Sequence, residues 1–277
     1  MLSYAHLHQV PALVYTMWPH PAYLLGTRSG NFNLLTDLEQ KLQLMEEFGV
    51  QHVLVEPFTS AFAAKTPMEF LDHLVGSRCN PSAVFVGYDH HFGVGGQGNY
   101  STLVEYLDGK PCQAYRGSAV WLAGQEISST AIRALVAEGR MALAYDYMGH
   151  PFAFRGRVEH GYQVGRRLGY PTANIAPEYD HQLLPGEGVY AGFCRLLGDG
   201  QAHFWPSLIS VGRRPTVLQD GELAIEVHLI DFHGDLYGKH VEVLFTHWLR
   251  RQESFSSLEA LREKIDQDLR NARHLLA

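Results

Sequence analysis

The sequence predicts an α/β first half built on a parallel sheet, followed by an antiparallel sandwich or barrel that ends in a helix. Three observations predict this. The chain has 277 residues, close to two domains at roughly 150 residues each. Its first half alternates strand-like and helix-like stretches, the order that produces parallel sheets with helices on their faces. From Phe152 onwards, short β-type runs are separated by Gly, Pro and Asp, the texture of antiparallel folds. Hydrophobic residues make up 46% and charged residues 18% of the chain, a globular balance that excludes disorder. The formal net charge of −7 argues against general binding to nucleic acid or anionic membrane. The longest apolar run, Ala12 to Trp18 with Thr16 inside it, is far below the roughly 18 residues of a membrane span. The first Lys or Arg is Arg28, so no secretory signal is expected. Cys79, Cys112 and Cys194 are far apart and odd in number, which points to a reducing, cytoplasmic setting without a disulfide framework.

In the first half, Ala12–Trp18 reads as a buried strand ended by Pro19-His20-Pro21. Thr36 and Glu39 form a capping box, Leu38, Leu42, Met45 and Phe48 recur at helical spacing, and Gly49 follows as a C-terminal cap. His52–Val55 is the next strand. Thr66-Pro67-Met-Glu69 starts another helix, with proline where its missing amide costs nothing. Ala83–Gly87 is a third strand, Ser129–Glu138 and Met141–Met148 are helical, and Gly149-His150-Pro151 marks a boundary between domains 1–149 and 150–277. Beyond it, strands are expected at Phe152–Glu159, Val189–Leu197, Phe204–Val211, Leu223–Ile230 and His240–Leu249, with hairpin turns at Gly198-Asp-Gly200 and Asp220-Gly221. A capping box at Ser256 and Glu259 opens a last helix whose apolar stripe is Leu258, Leu261, Ile265 and Leu269.

The densest chemistry lies in Gly161-Tyr-Gln-Val-Gly165-Arg166-Arg-Leu-Gly169-Tyr-Pro171-Thr172-Ala-Asn174. Closely spaced glycines let backbone amides approach phosphate, and Arg166 and Arg167 add charge. Thr172 and Asn174 offer hard oxygens of the kind Mg²⁺ prefers. The same stretch also reads as a glycine-rich hairpin, and it is neither a P-loop nor a dinucleotide fingerprint. In Leu223–Asp231, alternation sets Ile225, Val227 and Leu229 on one face and Glu226 and His228 on the other. Glu226 is there either a solvated residue or a positioned base. Of the 16 histidines, His90 and His91 are adjacent and His6 and His8 lie two apart, with no third ligand at zinc spacing.

These motifs, with Leu184-Pro185, Gly188-Val-Tyr-Ala191, Gly212-Arg-Arg-Pro-Thr216, Glu226-Val-His-Leu229, Asp235-Leu-Tyr-Gly238 and Leu249-Arg250 followed by Phe255, run in one order. The chain resembles the bacterial bifunctional riboflavin kinase/FAD synthetase family. Thr16-Met-Trp-Pro-His-Pro21, Gly87-Tyr-Asp-His-His-Phe-Gly93 and Ile127-Ser-Ser-Thr130 with Ile132-Arg133 extend the likeness into the first half. The resemblance implies a doubly wound, N-terminally truncated nucleotidyltransferase-like domain and an antiparallel β-barrel riboflavin kinase domain with a C-terminal helix.

The resemblance also implies the chemistry: transfer of the ATP γ-phosphate to the riboflavin 5′-hydroxyl, giving FMN. In this reading Gly161, Gly165, Arg166 and Gly169 cover the phosphates, Thr172 and Asn174 hold Mg²⁺, Glu226 is the general base, and Arg250 and Phe255 close over the flavin. His20, Asp89, Ser128, Ser129, Thr130 and Arg133 mark a residual nucleotidyltransferase site. The partners are small molecules (riboflavin, ATP and FMN) with neither nucleic acid nor membrane. An incomplete sheet leaves an edge that a second copy can cover, so self-association fits. Two features depart from the family pattern. Its His-x-Gly-His segment does not occur in residues 1–277, so no FAD formation is expected, and Gln252-Glu253 displaces an acid by one residue. The competing readings are a fully bifunctional enzyme, if the protein is longer at its N-terminus, and a non-catalytic flavin- or nucleotide-binding regulator. Riboflavin-dependent ADP release separates an enzyme from the regulator.

Overall fold

The computed structural model describes residues 1–26, 33–160, 165, 168–179, 181–198, 203–213 and 223–277. Gly161, Arg166, Arg167, the Asp199-Gly200 and Asp220-Gly221 turns and Pro215-Thr216 lie outside the described residues. The chain forms two compact units. Met1–Phe32 and Leu38–Glu126 make the first, and Asn33–Asp37 and Ile127–Ala277 make the second.

In chain order the first unit contains α1 (Leu2–His8), β1 (Leu13–Trp18), α2 (Pro21–Leu25), α3 (Leu38–Glu47), β2 (His52–Pro57), α4 (Ser60–Ala63) and α5 (Pro67–Leu71). A π-helical segment, Asp72–Cys79, continues α5, and β3 (Ala83–Val86), α6 (Tyr100–Leu107), β4 (Gln113–Arg116), β5 (Trp121–Leu122) and β6 (Gln125–Glu126) follow. β1 pairs parallel with β2 and β3 parallel with β4, as the alternating order requires, while β5 and β6 form a small antiparallel pair. The core packs Phe58, Phe62, Phe70, Leu71, Phe92 and Leu103 against Tyr15 and Met17 of β1 and Val84 and Val86 of β3. The Thr66 capping box is present: Glu69 N donates to Thr66 Oγ1 at 3.3 Å and Thr66 N donates to Glu69 Oε2 at 2.7 Å. The expected box at Thr36 is displaced, because α3 begins at Leu38 and Asp37 is the residue before it.

The second unit contains α7 (Ser129–Ala137), α8 (Met141–Met148), β7 (Phe152–Glu159), β8 (Ala173–Pro177), β9 (Gly188–Leu196), β10 (Trp205–Arg213), β11 (Leu223–Leu229), β12 (His240–Arg250) and α9 (Leu258–Leu275). Its strands close into an antiparallel barrel in the order β10-β11-β8-β7-β12-β9. Alternate residues point inward, so Phe154, Tyr190, Ile209, Val227, Val243 and Phe245 are essentially fully buried. Burial pushes the Cys194 thiol up to about 12, so it remains protonated inside the barrel. Ile132, Val136, Met141 and Ala144 of α7 and α8 belong to the same apolar cluster. Hence residues 127–149, which sequence texture groups with the first half, pack on the barrel. β8 is a strand that the sequence pattern does not announce, because Pro171 stands just before it and Pro177 is its last residue. α9 starts one residue later than its predicted box, with Ser257 Oγ accepting from Ala260 N at 3.1 Å.

On the outer surface of the barrel, Glu242 is 4% exposed and accepts from Arg155 Nε at 2.8 Å and Arg195 Nη2 at 2.6 Å. These residues occupy one cross-strand row of β7, β12 and β9, so this ion pairing fastens neighbouring strands together.

Two glycines allow the strands to approach. A Cβ at Gly192 would lie 1.9 Å from the Leu244 carbonyl oxygen, and one at Gly156 would lie 2.1 Å from that of Ala176. Replacing Gly192 with alanine should therefore shift β9 from β12 and cost about 1–3 kcal/mol, as overpacking does. Thermal unfolding checks this, and an unchanged midpoint would show that the strands yield without cost.

Candidate active site

The register of the barrel decides what can meet on its outer surface. Glu226 of β11 stands opposite Asn174 of β8 and Ser210 of β10, and Asn174 stands opposite Glu159 of β7. Ile225 and Val227 point into the core, so Glu226 between them faces outward. Thr172, one residue before β8, donates its hydroxyl to Glu226 Oε2 at 3.1 Å. Three hard oxygen groups thus gather on one face: the Thr172 hydroxyl, the Asn174 carboxamide and the Glu226 carboxylate. Asn174 is 6% exposed, and Glu226 is partly exposed.

The segment leading into β8 is held from both sides. His228 Nδ1 lies 2.8 Å from the Pro171 carbonyl oxygen, which can only accept, so this nitrogen carries a proton. Tyr170 N donates to Gly165 O at 2.9 Å and closes the end of the glycine cluster. A Cβ at Gly165 would lie 2.4 Å from Tyr170 O, so only glycine fits there. Gly169 has φ +91°, in the left-handed region that glycine favours. Beside the start of the cluster, His160 stacks on Tyr237 at 3.8 Å between ring centroids.

On the C-terminal side of the site, Arg250 is tied to the last helix. Arg250 Nε and Nη2 contact Asp268 Oδ2 at 2.8 and 2.7 Å, and Nη1 donates to the Arg251 carbonyl oxygen at 3.0 Å. Its guanidinium lies 5.8 Å from the centre of the Phe255 ring. Asp268 is 2% exposed, so Arg250 neutralises a buried carboxylate on α9. Sequence reasoning missed Asp268, although a signal existed. Leu261, Ile265, Asp268 and Ala272 follow one helical stripe, which places a charge on the packed face. Gln252 Nε2 donates to Ser210 Oγ at 2.8 Å and to the Val211 carbonyl oxygen at 3.2 Å. A carboxylate at 252 would instead face that carbonyl, which explains the amide at this position.

The remaining predicted residues fall in different units. His20 and Asp89 lie in the first, where His20 caps α2 by accepting from Ala22 N at 3.2 Å and Asp89 is exposed. Ser128, Ser129, Thr130 and Arg133 lie in the second. Ser128 caps α7 by accepting from Ala131 N at 3.2 Å, Ser129 and Thr130 are exposed in its first turn, and Arg133 Nε donates to Asn33 O at 2.7 Å.

Comparison with known proteins identifies the two halves. The riboflavin kinase family model, Flavokinase, matches residues 148–276, and the FAD synthetase model, FAD_syn, matches residues 1–131. A bifunctional riboflavin kinase/FMN adenylyltransferase of Escherichia coli K12 is 36% identical over 269 residues, covering 95% of this chain and 82% of the relative. Proteins of the same name from Listeria monocytogenes and Bacillus subtilis are 33% and 30% identical, covering 82% and 80% of their lengths. A crystal structure from Streptococcus pneumoniae, titled a macrolide-efflux protein, superposes with a TM-score of 0.85 at 27% identity over 98% of this chain and 86% of its own. No helix among the described residues is long and apolar enough to cross a membrane. The chain is thus a riboflavin kinase that belongs to the bifunctional riboflavin kinase/FMN adenylyltransferase family, with an FAD synthetase module ahead of its kinase barrel.

Proposed function

We propose that phosphoryl transfer from ATP to the riboflavin 5′-hydroxyl takes place on the outer face of β8 and β11. The observation that carries this reading is the Thr172–Glu226 hydrogen bond of 3.1 Å beside the Asn174–Glu226 cross-strand pair. The donor set is all hard oxygen, and Mg²⁺ is suited to it. Thr172 and Asn174 would hold the ion, which neutralises charge on the ATP phosphates when bound.

Glu226 then accepts the proton of the 5′-hydroxyl. The hydroxyl oxygen bonds to the γ-phosphorus, the bridge to the β-phosphate breaks, and ADP leaves with the electron pair of that bond. Partial exposure keeps Glu226 within reach of substrate, while the Thr172 hydroxyl orients its carboxylate. Gly161, Gly165, Arg166 and Gly169 are assigned to the phosphates. Arg250 and Phe255, whose guanidinium and ring centre lie 5.8 Å apart, are assigned to the flavin side. The separated cysteines support a cytoplasmic setting.

For the first module we infer that the 277-residue polypeptide does not itself form FAD. The reading is supported by the lack of any His-x-Gly-His sequence in these residues and by the engagement of His20 Nδ1 as a helix cap. Adenylyl transfer needs preorganised donors on the phosphate, each worth about 10²- to 10³-fold.

Three outcomes are expected. Glu226→Gln should lower kcat by about 10²- to 10⁴-fold with the thermal midpoint little changed, and full activity in this variant would return Glu226 to the role of a solvated surface residue. Thr172→Val and Asn174→Leu should each raise the KM for Mg·ATP by about tenfold, in part recovered by excess Mg²⁺. Unaltered nucleotide kinetics would mean that these two residues only shape a turn. Incubation with FMN, ATP and Mg²⁺ followed by chromatography should yield no FAD, and a clear FAD peak would restore the fully bifunctional reading.

A further inference from the structure

We infer that Tyr170 and Asp266, with His228, are positioning residues for ATP: they fasten the returning end of the glycine cluster to α9 and β11 and so fix where Thr172 and Asn174 point. The inference rests on the reading that Thr172 and Asn174 engage Mg·ATP.

Tyr170 donates its phenol proton to Asp266 Oδ1 in a short hydrogen bond that spans 96 residues of sequence. The backbone of Tyr170 ties off the glycine cluster through its amide bond to Gly165 O. Its side chain therefore anchors the point at which the cluster rejoins the barrel. Pro171 follows, with a fixed φ, and it restricts the backbone of Tyr170 as well. The link from Tyr170 to Thr172 is consequently stiff. His228 grips the middle of that link through the Pro171 carbonyl, and Glu226, two residues earlier on the same strand face, grips its end through Thr172.

The docking of α9 does not depend on this contact. Its apolar side packs Ile265, Leu269 and Ala272 against Val189, Ala191 and Leu208. Asp268 binds Arg250, and Arg273 makes a two-pronged pair with Asp231 at 2.7 and 2.8 Å. With Asp266 removed, the helix keeps those anchors. What it loses is its hold on the segment that carries Thr172.

The test is steady-state kinetics of riboflavin-dependent ADP release with Tyr170→Phe, Asp266→Asn, the double variant and Asp266→Glu, beside thermal midpoints. Loss of a hydrogen bond to a charged group should raise the KM for ATP by about tenfold in each single variant. The KM for riboflavin should move less, and the midpoint should change little. The double variant should be no worse than the worse single one, because both remove the same contact, and Asp266→Glu should recover part of the affinity. An unchanged KM for ATP in both single variants overturns the inference. So does an additive double variant, or an equal rise in both KM values that tracks a fall in the midpoint. Thr172→Val separates the two levels: if it leaves the KM for ATP unaltered, the site reading itself fails. If it raises that KM while the Tyr170 and Asp266 variants do not, only the fastening role fails.

Discussion

The pairing register between β8 and β11 is the constraint on which this site depends. Asn174 and Glu226 face each other only because Ile175 pairs with Ile225 and Ala173 with Val227. Side chains alternate along a strand, so a slip of one residue would turn Asn174 into the core and Ile175 out to water. Burial of Ile175, Ile225 and Val227 therefore secures the polar arrangement on the opposite face. The β8–β11 ladder is short, but both strands have a further partner in the closed barrel. A strand with two neighbours has no free edge along which to slide.

Charge plays a second organising role. Asp268 and Glu242 are carboxylates in the packed regions of the barrel unit, and each is matched by arginine: Arg250 for the first, Arg155 and Arg195 for the second. A buried carboxylate without its partner costs several kcal/mol. These pairs accordingly specify geometry, one fixing the angle at which α9 leaves β12 and the other fastening the β7–β12–β9 row.

Much of the fold could be read from the residues themselves, for identifiable reasons. β7 spans the expected Phe152–Glu159, and the alternation around Glu226 gave its outward face, because period-two burial leaves a direct imprint on sequence. β8 left no such imprint, since its five residues end in Pro177, follow closely on Pro171 and form part of a motif that also reads as a turn. The start of α9 moved from Ser256 to Ser257 because either serine can cap and tertiary packing chose between them. Helices α7 and α8 were recognisable as helices, but an apolar stripe does not state which sheet it will cover. Arg250 was legible as important and not as the partner of Asp268, since the two lie 18 residues apart and no local pattern joins them.

The segment Asn33–Asp37 changes how the whole chain is threaded. It comes from the first part of the sequence, yet Leu34 N donates to His181 O, Leu183 N donates to Leu34 O, and Asn33 O receives Arg133 Nε. The polypeptide therefore visits the barrel unit briefly, returns to the first unit for residues 38–126, and comes back. Modules joined in this way are not beads on a string. A barrel cut free after Glu126 would lose the bonds that Leu34 makes with His181 and Leu183 and the one that Asn33 receives from Arg133. A cut placed at Glu126 therefore also removes the short strap that the first stretch of chain lends to the barrel unit.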